Sequence, residues 1–87
     1  MYWFTWPTPV LDGIVGSCHG LDIPFAFDNL SLPRTDDLTG DGAERAGIAT
    51  RFADEIAQFA KSSAPSWPAF DLADRSTLEI NAEIAVL

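Results

Sequence analysis

Cysteine, histidine and basic residues are all scarce in this chain of 87 residues. It has one Cys, one His and five Lys or Arg, against thirteen Asp or Glu. One cysteine closes no internal disulfide, and one Cys with one His cannot complete a zinc site, so no metal and no cofactor are expected. A formal net charge of -8 with no basic patch repels phosphate backbones, which excludes nucleic acid as a partner, and anionic membrane surfaces for the same reason. No apolar run approaches membrane-spanning length. The first residues, "MYWFTWPTP", have neither the basic nor the apolar region of a signal peptide, so the chain as it stands reads as a cytoplasmic product.

What the chain does have is apolar and aromatic mass. It is 47% hydrophobic, with three Trp and six Phe, too apolar for a disordered acidic tail. Its length permits one domain at most, with a core of marginal size. Either the aromatics pack tightly, or some of them await a partner surface.

Tyr2 to Trp6, "YWFTW", is a β-type run ended by Pro7. Being apolar on both sides, it is expected to be a covered strand. Pro7 to Ser17 reads as a loop. Leu21, Phe25 and Leu30 fall near helical spacing, and Pro24 suits a first turn, so a short helix is expected near residues 21–28. Ser31 to Gly42 reads as a polar loop. From Ala43 to Ser62 the apolar residues Ala49, Phe52, Ala53, Ile56, Phe59 and Ala60 recur at three- and four-residue steps. Arg45, Arg51, Asp54, Glu55, Gln58 and Lys61 occupy the other face, as in an amphipathic helix laid on a core. Arg51 and Glu55, one turn apart, are expected to pair at the surface. Ser62 to Arg75 is loop, and "STLEI" and "EIAVL" alternate like the arms of a hairpin turning at Asn81 and Ala82. The sum is an α+β assembly in one unit, residues 1–87. Its first strand must pair with the distant hairpin or with a strand the chain does not contain.

The one histidine lies in "GSCHGLDIPFAF", residues 16–27. Histidine takes and returns a proton near neutral pH more readily than any other side chain. A lone histidine is more often structural, so position by itself does not assign His19 to catalysis. Cys18 is its neighbour, but adjacent residues in extended backbone point apart, so Cys18 reads as a loop or core residue rather than as a nucleophile paired with His19.

This segment closely resembles the histidine segment of the type-B carboxylesterases, the cholinesterase-like branch of the α/β-hydrolases. Gly16, Ser17, His19, Gly20, Asp22, Ile23, Pro24, Phe25, Ala26 and Phe27 stand in register with it. The likeness extends to both sides. "YWFTWPTP" stands where the family has an aromatic strand closing on Trp-Pro. "AQFAKSSAPSWPAFD" places Phe59, Ala60, Pro65, Trp67, Pro68, Phe70 and Asp71 where the family has a helix end and a Trp-Pro loop, and "RSTLEI" matches its closing strand. The resemblance implies that the fold is the C-terminal portion of an α/β-hydrolase. It comprises one strand, a short helix, a long amphipathic helix and a C-terminal β-hairpin. It further implies that His19 is the general base of a Ser-His-acid triad, taking the serine proton during attack on an ester and delivering it to the leaving alcohol. Asp22 is then part of a polar network behind the site. Its alternative reading is an acid at a helix N-terminus.

The rest of the machinery is absent. No serine is flanked as in a Gly-any-Ser-any-Gly elbow, there is no oxyanion glycine run, and the triad acid of the family lies upstream. Asp12, seven residues before His19, would orient the ring only by accident. The chain is therefore expected to be an esterase fragment, inactive alone, whose partner is the missing N-terminal esterase portion and whose substrate, once complete, is a small ester. The alternative is a small acidic interaction module without chemistry. It would pair its aromatic strand with a partner's sheet or with a second copy of itself. An independent Cys-His hydrolase is the weakest reading, because nothing orients the histidine.

Overall fold

The computed structural model describes the whole chain, Met1–Leu87. Three strands, β1 (Tyr2–Phe4), β2 (Leu78–Ile80) and β3 (Ile84–Val86), form one sheet in the order β1-β2-β3. The first strand does pair with the distant hairpin: β1 runs parallel to β2, with Tyr2 opposite Leu78 and Phe4 opposite Ile80, and β2 and β3 are antiparallel. Three helices, α1 (Ile23–Ala26), α2 (Asp36–Thr39) and α3 (Glu44–Ser62), complete the fold.

The core lies between α3, α1 and one face of the sheet. Phe25 of α1 and Phe52 of α3 are fully buried, as are Leu21 and Ile80. Burying a phenylalanine contributes about 1.5–3 kcal/mol. Aromatic contacts join the layers. The ring of Phe25 lies 5.3 Å from that of Phe4 and 5.1 Å from that of Trp6, and the Tyr2 ring meets Phe52 edge-on at 5.0 Å. Tyr2, Phe4, Leu78 and Ile80 alternate onto this face, the period-two pattern of a strand.

Three expectations need correction. The first strand ends at Phe4, not Trp6, because the amides of Thr5 and Trp6 both donate to the Ile80 carbonyl, at 2.9 and 3.2 Å. Two residues then face one and the ladder stops, which turns Trp6 into the core. Nor is β1 covered on both sides. It is an edge strand, and Trp3 on its outer face is 61% exposed, beside a polar chain in which Asn81 donates to Thr5 and Thr5 to Glu79. The loop read from Ser31 to Gly42 contains α2. Arg45 of α3 holds this single turn by donating to Thr39 Oγ1 at 2.8 Å and Asp36 Oδ1 at 3.2 Å.

The long helix falls within one residue of its expected start and ends where expected, but its faces divide differently. Ile48, Ala49 and Phe52 are buried, whereas Phe59 and Ala60 in the last turns are exposed. Glu55, assigned to the solvent face, is buried at 6% exposure. Its carboxylate accepts from Arg51 Nε at 3.0 Å and from the Ser66 hydroxyl at 2.5 Å, so the expected Arg51–Glu55 pair forms with one partner inside the protein. The loop after α3 crosses back to the sheet, where Trp67 Nε1 donates to the Met1 carbonyl at 2.7 Å. No helix is long and apolar enough to cross a membrane.

Candidate active site

The histidine loop runs from the end of the turn after β1 into α1. Gly16 (φ 58°) and Gly20 (φ 79°) both take the left-handed conformation that side chains disfavour, and between them they bend the chain so that Ser17 and His19 are exposed while Cys18 turns toward the core. The Thr8 amide donates to the Gly16 carbonyl at 3.1 Å, which closes the loop at its base. Beyond it, Leu21 and Phe25 are buried completely and anchor the downstream end. His19 is exposed at the crest, while Cys18 beside it is half-buried against the core. Both also line one open cleft, and no hydrogen bond joins them.

His19 lines an open cleft of about 240 Å³ with Ser17 and Asp22 of its own loop and Tyr2, Trp3 and Phe4 of β1. Asp22 Oδ2 accepts the Tyr2 hydroxyl at 2.9 Å and makes no side-chain cap to α1. The structure thus places His19 and Asp22 on one cleft, with Asp22 both at the N-terminus of α1 and in a polar contact with the strand. Burial, with the Asp22 carboxylate as acceptor and as a nearby negative charge, raises the Tyr2 hydroxyl above its ordinary pKa. On the other side of the loop, the Ser17 hydroxyl donates to the Phe4 carbonyl at 2.9 Å, at the carboxyl end of β1. Asp12 is exposed in the turn Val10–Gly13, outside the cleft.

The cleft opens along the free edge of β1. The Met1 carbonyl and the Thr5 amide serve β2, at 3.2 and 2.9 Å. In a parallel ladder, alternate residues serve alternate neighbours, so the main-chain groups of Tyr2 and Phe4 point away from β2. Sequence reasoning missed Tyr2 and Ser17 as parts of this site. Tyr2 is twenty residues from Asp22, and no local pattern announces a contact made only when strand and loop meet. No group of three or more His, Cys, Asp or Glu side chains is placed to hold a metal ion.

An exposed imidazole that shares a cleft with a carboxylate and with the carboxyl end of a strand can exchange protons with a group brought from outside. Nothing within the chain supplies a nucleophile activated by it. No protein-family model matches the sequence. Among solved structures, a PNB esterase superposes with a TM-score of 0.81 at 24% sequence identity, and the match covers 100% of this chain. It covers 19% of the esterase, so the chain spans about a fifth of the protein it resembles. The three-stranded sheet with its helices has the fold of part of an esterase.

Proposed function

We propose that this chain is the C-terminal part of a type-B carboxylesterase, one piece of a larger α/β-hydrolase domain, and that His19 is its general base. The chain is catalytically silent alone. Completed by the remaining esterase portion, it hydrolyses small carboxylic esters. The His19 imidazole takes the proton from the attacking serine hydroxyl and passes it to the departing alcohol, and the acyl-enzyme is then hydrolysed through the same base. The observation that carries this reading is the placement of an exposed His19 at the end of β1, beside a strand edge with no neighbour, within a fold superposable on part of an esterase. In this reading Asp22 belongs to the polar network behind the site, and its bond from the Tyr2 hydroxyl supports that role.

The test is complementation. The chain is combined with an esterase portion that carries the nucleophile and triad acid but ends before its own histidine segment, and hydrolysis of a chromogenic ester is followed. Turnover that appears on mixing and vanishes with His19→Ala is the expected result. Turnover indifferent to His19→Ala would overturn it.

A non-enzymatic reading has one observation of its own: Trp3 is 61% exposed on the outer face of an edge strand, as suits a module that adds β1 to a partner's sheet. An assembly that forms equally well with His19→Ala, and never turns over an ester, would favour it.

A further inference from the structure

His19 is bracketed by two side-chain hydrogen bonds that both end on β1. Upstream, Ser17 Oγ donates to the Phe4 carbonyl at 2.9 Å, and downstream, the Tyr2 hydroxyl donates to Asp22 Oδ2 at 2.9 Å. We propose that Ser17 and Tyr2 are positioning residues, forming a two-point clamp that sets the place of the His19 imidazole before any other part of the site arrives. The inference rests on the reading of His19 as a base.

Each half of the clamp is fixed from a different side. The Tyr2 ring is held edge-on by Phe52 of α3, so the hydroxyl is aimed by the core and not by the loop it restrains. Asp22 is a charged acceptor, which makes this the stronger bond of the two. Ser17 engages a carbonyl on the free edge of β1, a group left over by the ladder with β2. Between the two anchors lie Cys18, His19, Gly20 and Leu21. Leu21 is fully buried and Cys18 is half-buried against the core, which leaves His19 and Gly20 as the short span whose motion the clamp governs. A base must meet its proton within hydrogen-bond reach, and a misplacement of about 1 Å lowers turnover by about 10²-fold. An imidazole on an unclamped loop flanked by two glycines would not hold that tolerance.

The chain contains one Tyr and one His, so each is observed without assignment ambiguity. Tyr2→Phe keeps the ring on Phe52 and removes only the hydroxyl, Ser17→Ala removes the other anchor, and Asp22→Asn removes the charged acceptor while leaving Tyr2 intact. Amide hydrogen exchange on the full chain is compared between wild type and the Tyr2→Phe/Ser17→Ala double variant, with α3 as the internal measure of an intact fold. The expected result is exchange about tenfold faster or more at the Leu21 and Ile23 amides, which donate to the Cys18 and Gly20 carbonyls at 3.2 Å, with α3 unchanged, the factor carried by losing one charge-assisted hydrogen bond. In Asp22→Asn, the ultraviolet titration of Tyr2 moves toward its ordinary midpoint. In the complemented esterase, the double variant lowers kcat by about 10²-fold with KM unchanged, since the loop places the base and not the ester. Loop exchange equal to wild type, or a kcat equal to wild type while His19→Ala abolishes turnover, would overturn the clamp and leave the esterase reading standing. Faster loop exchange and a shifted Tyr2 titration, in an assembly indifferent to His19→Ala, would uphold the clamp as a restraint on the loop and refute the catalytic reading.

Discussion

Replacing Phe52 by alanine tests whether the sheet rests on α3 as described. Phe52 is fully buried, and its ring meets Tyr2 at 5.0 Å and Phe4 at 6.1 Å, so it is the contact through which the long helix supports the strand beside His19. Truncating a buried phenylalanine costs about 3–5 kcal/mol, and the aromatic pairs place this site toward the upper end. At about 0.05–0.15 kcal/mol per residue, a chain of 87 residues is stable by roughly 4–13 kcal/mol. The substitution therefore removes between a quarter and all of the stability, and lowers Tm by roughly 12–40 °C for a domain of this size. The assay is a urea titration at constant temperature with a thermal melt by circular dichroism. Phe59→Ala is the control: Phe59 lies on the same helix but is 51% exposed, and its loss should cost within about 0.5 kcal/mol. If the two variants differ by less than about 1 kcal/mol, a margin the cavity cost of Phe52 alone should exceed, helix and sheet do not pack in solution through Phe52.

Stability should fall above pH 10, in part through Tyr2. Its folded midpoint is raised, chiefly by burial and then by Asp22, so the unfolded chain loses the phenolic proton first. That contribution is complete below the ordinary value of 10.0 and is lost as pH rises through the folded midpoint; Tyr2→Phe should flatten this part of a plot of urea midpoint against pH. Glu55→Ala should cost about 1–3 kcal/mol, because the buried Glu55 carboxylate is the acceptor for both Arg51 and the Ser66 hydroxyl, whereas Arg51→Ala, at a half-exposed partner, should cost under about 1 kcal/mol; equal urea midpoints for the two would refute this asymmetry. Trp67→Phe keeps an aromatic ring but removes the bond to the Met1 carbonyl. About 0.5–1.5 kcal/mol should be lost in the same titration, with no change in slope.

Local chemistry made several elements legible in the sequence. The 3.6-residue recurrence from Ala49 through Phe52 to Ile56 announces α3, Pro24 with Leu21 and Phe25 announces a short helix, and alternation around Leu78 announces a strand. The loop around His19 could be singled out because glycines on either side of a lone histidine are a local signal. Other features depend on residues far apart in the chain. Glu55 looks like a surface residue until Ser66 folds back to meet it, and α2 exists because Arg45 reaches Thr39 and Asp36. Phe59 follows the apolar rhythm yet stays half exposed, in an open cleft that Pro65 and Trp67 of the following loop line but do not fill.

By itself, then, the sequence determined the type and approximate extent of each longer element, the acidic surface, and the single imidazole on a glycine-bounded loop, because periodicity, charge and backbone freedom are local properties. Only the tertiary structure decided that β1 joins the hairpin in parallel, that its far edge stays open beside His19, and that Tyr2 and Ser17 tie the histidine loop to that strand. Those outcomes depend on which surfaces meet once the core of Phe25, Phe52 and Ile80 has closed.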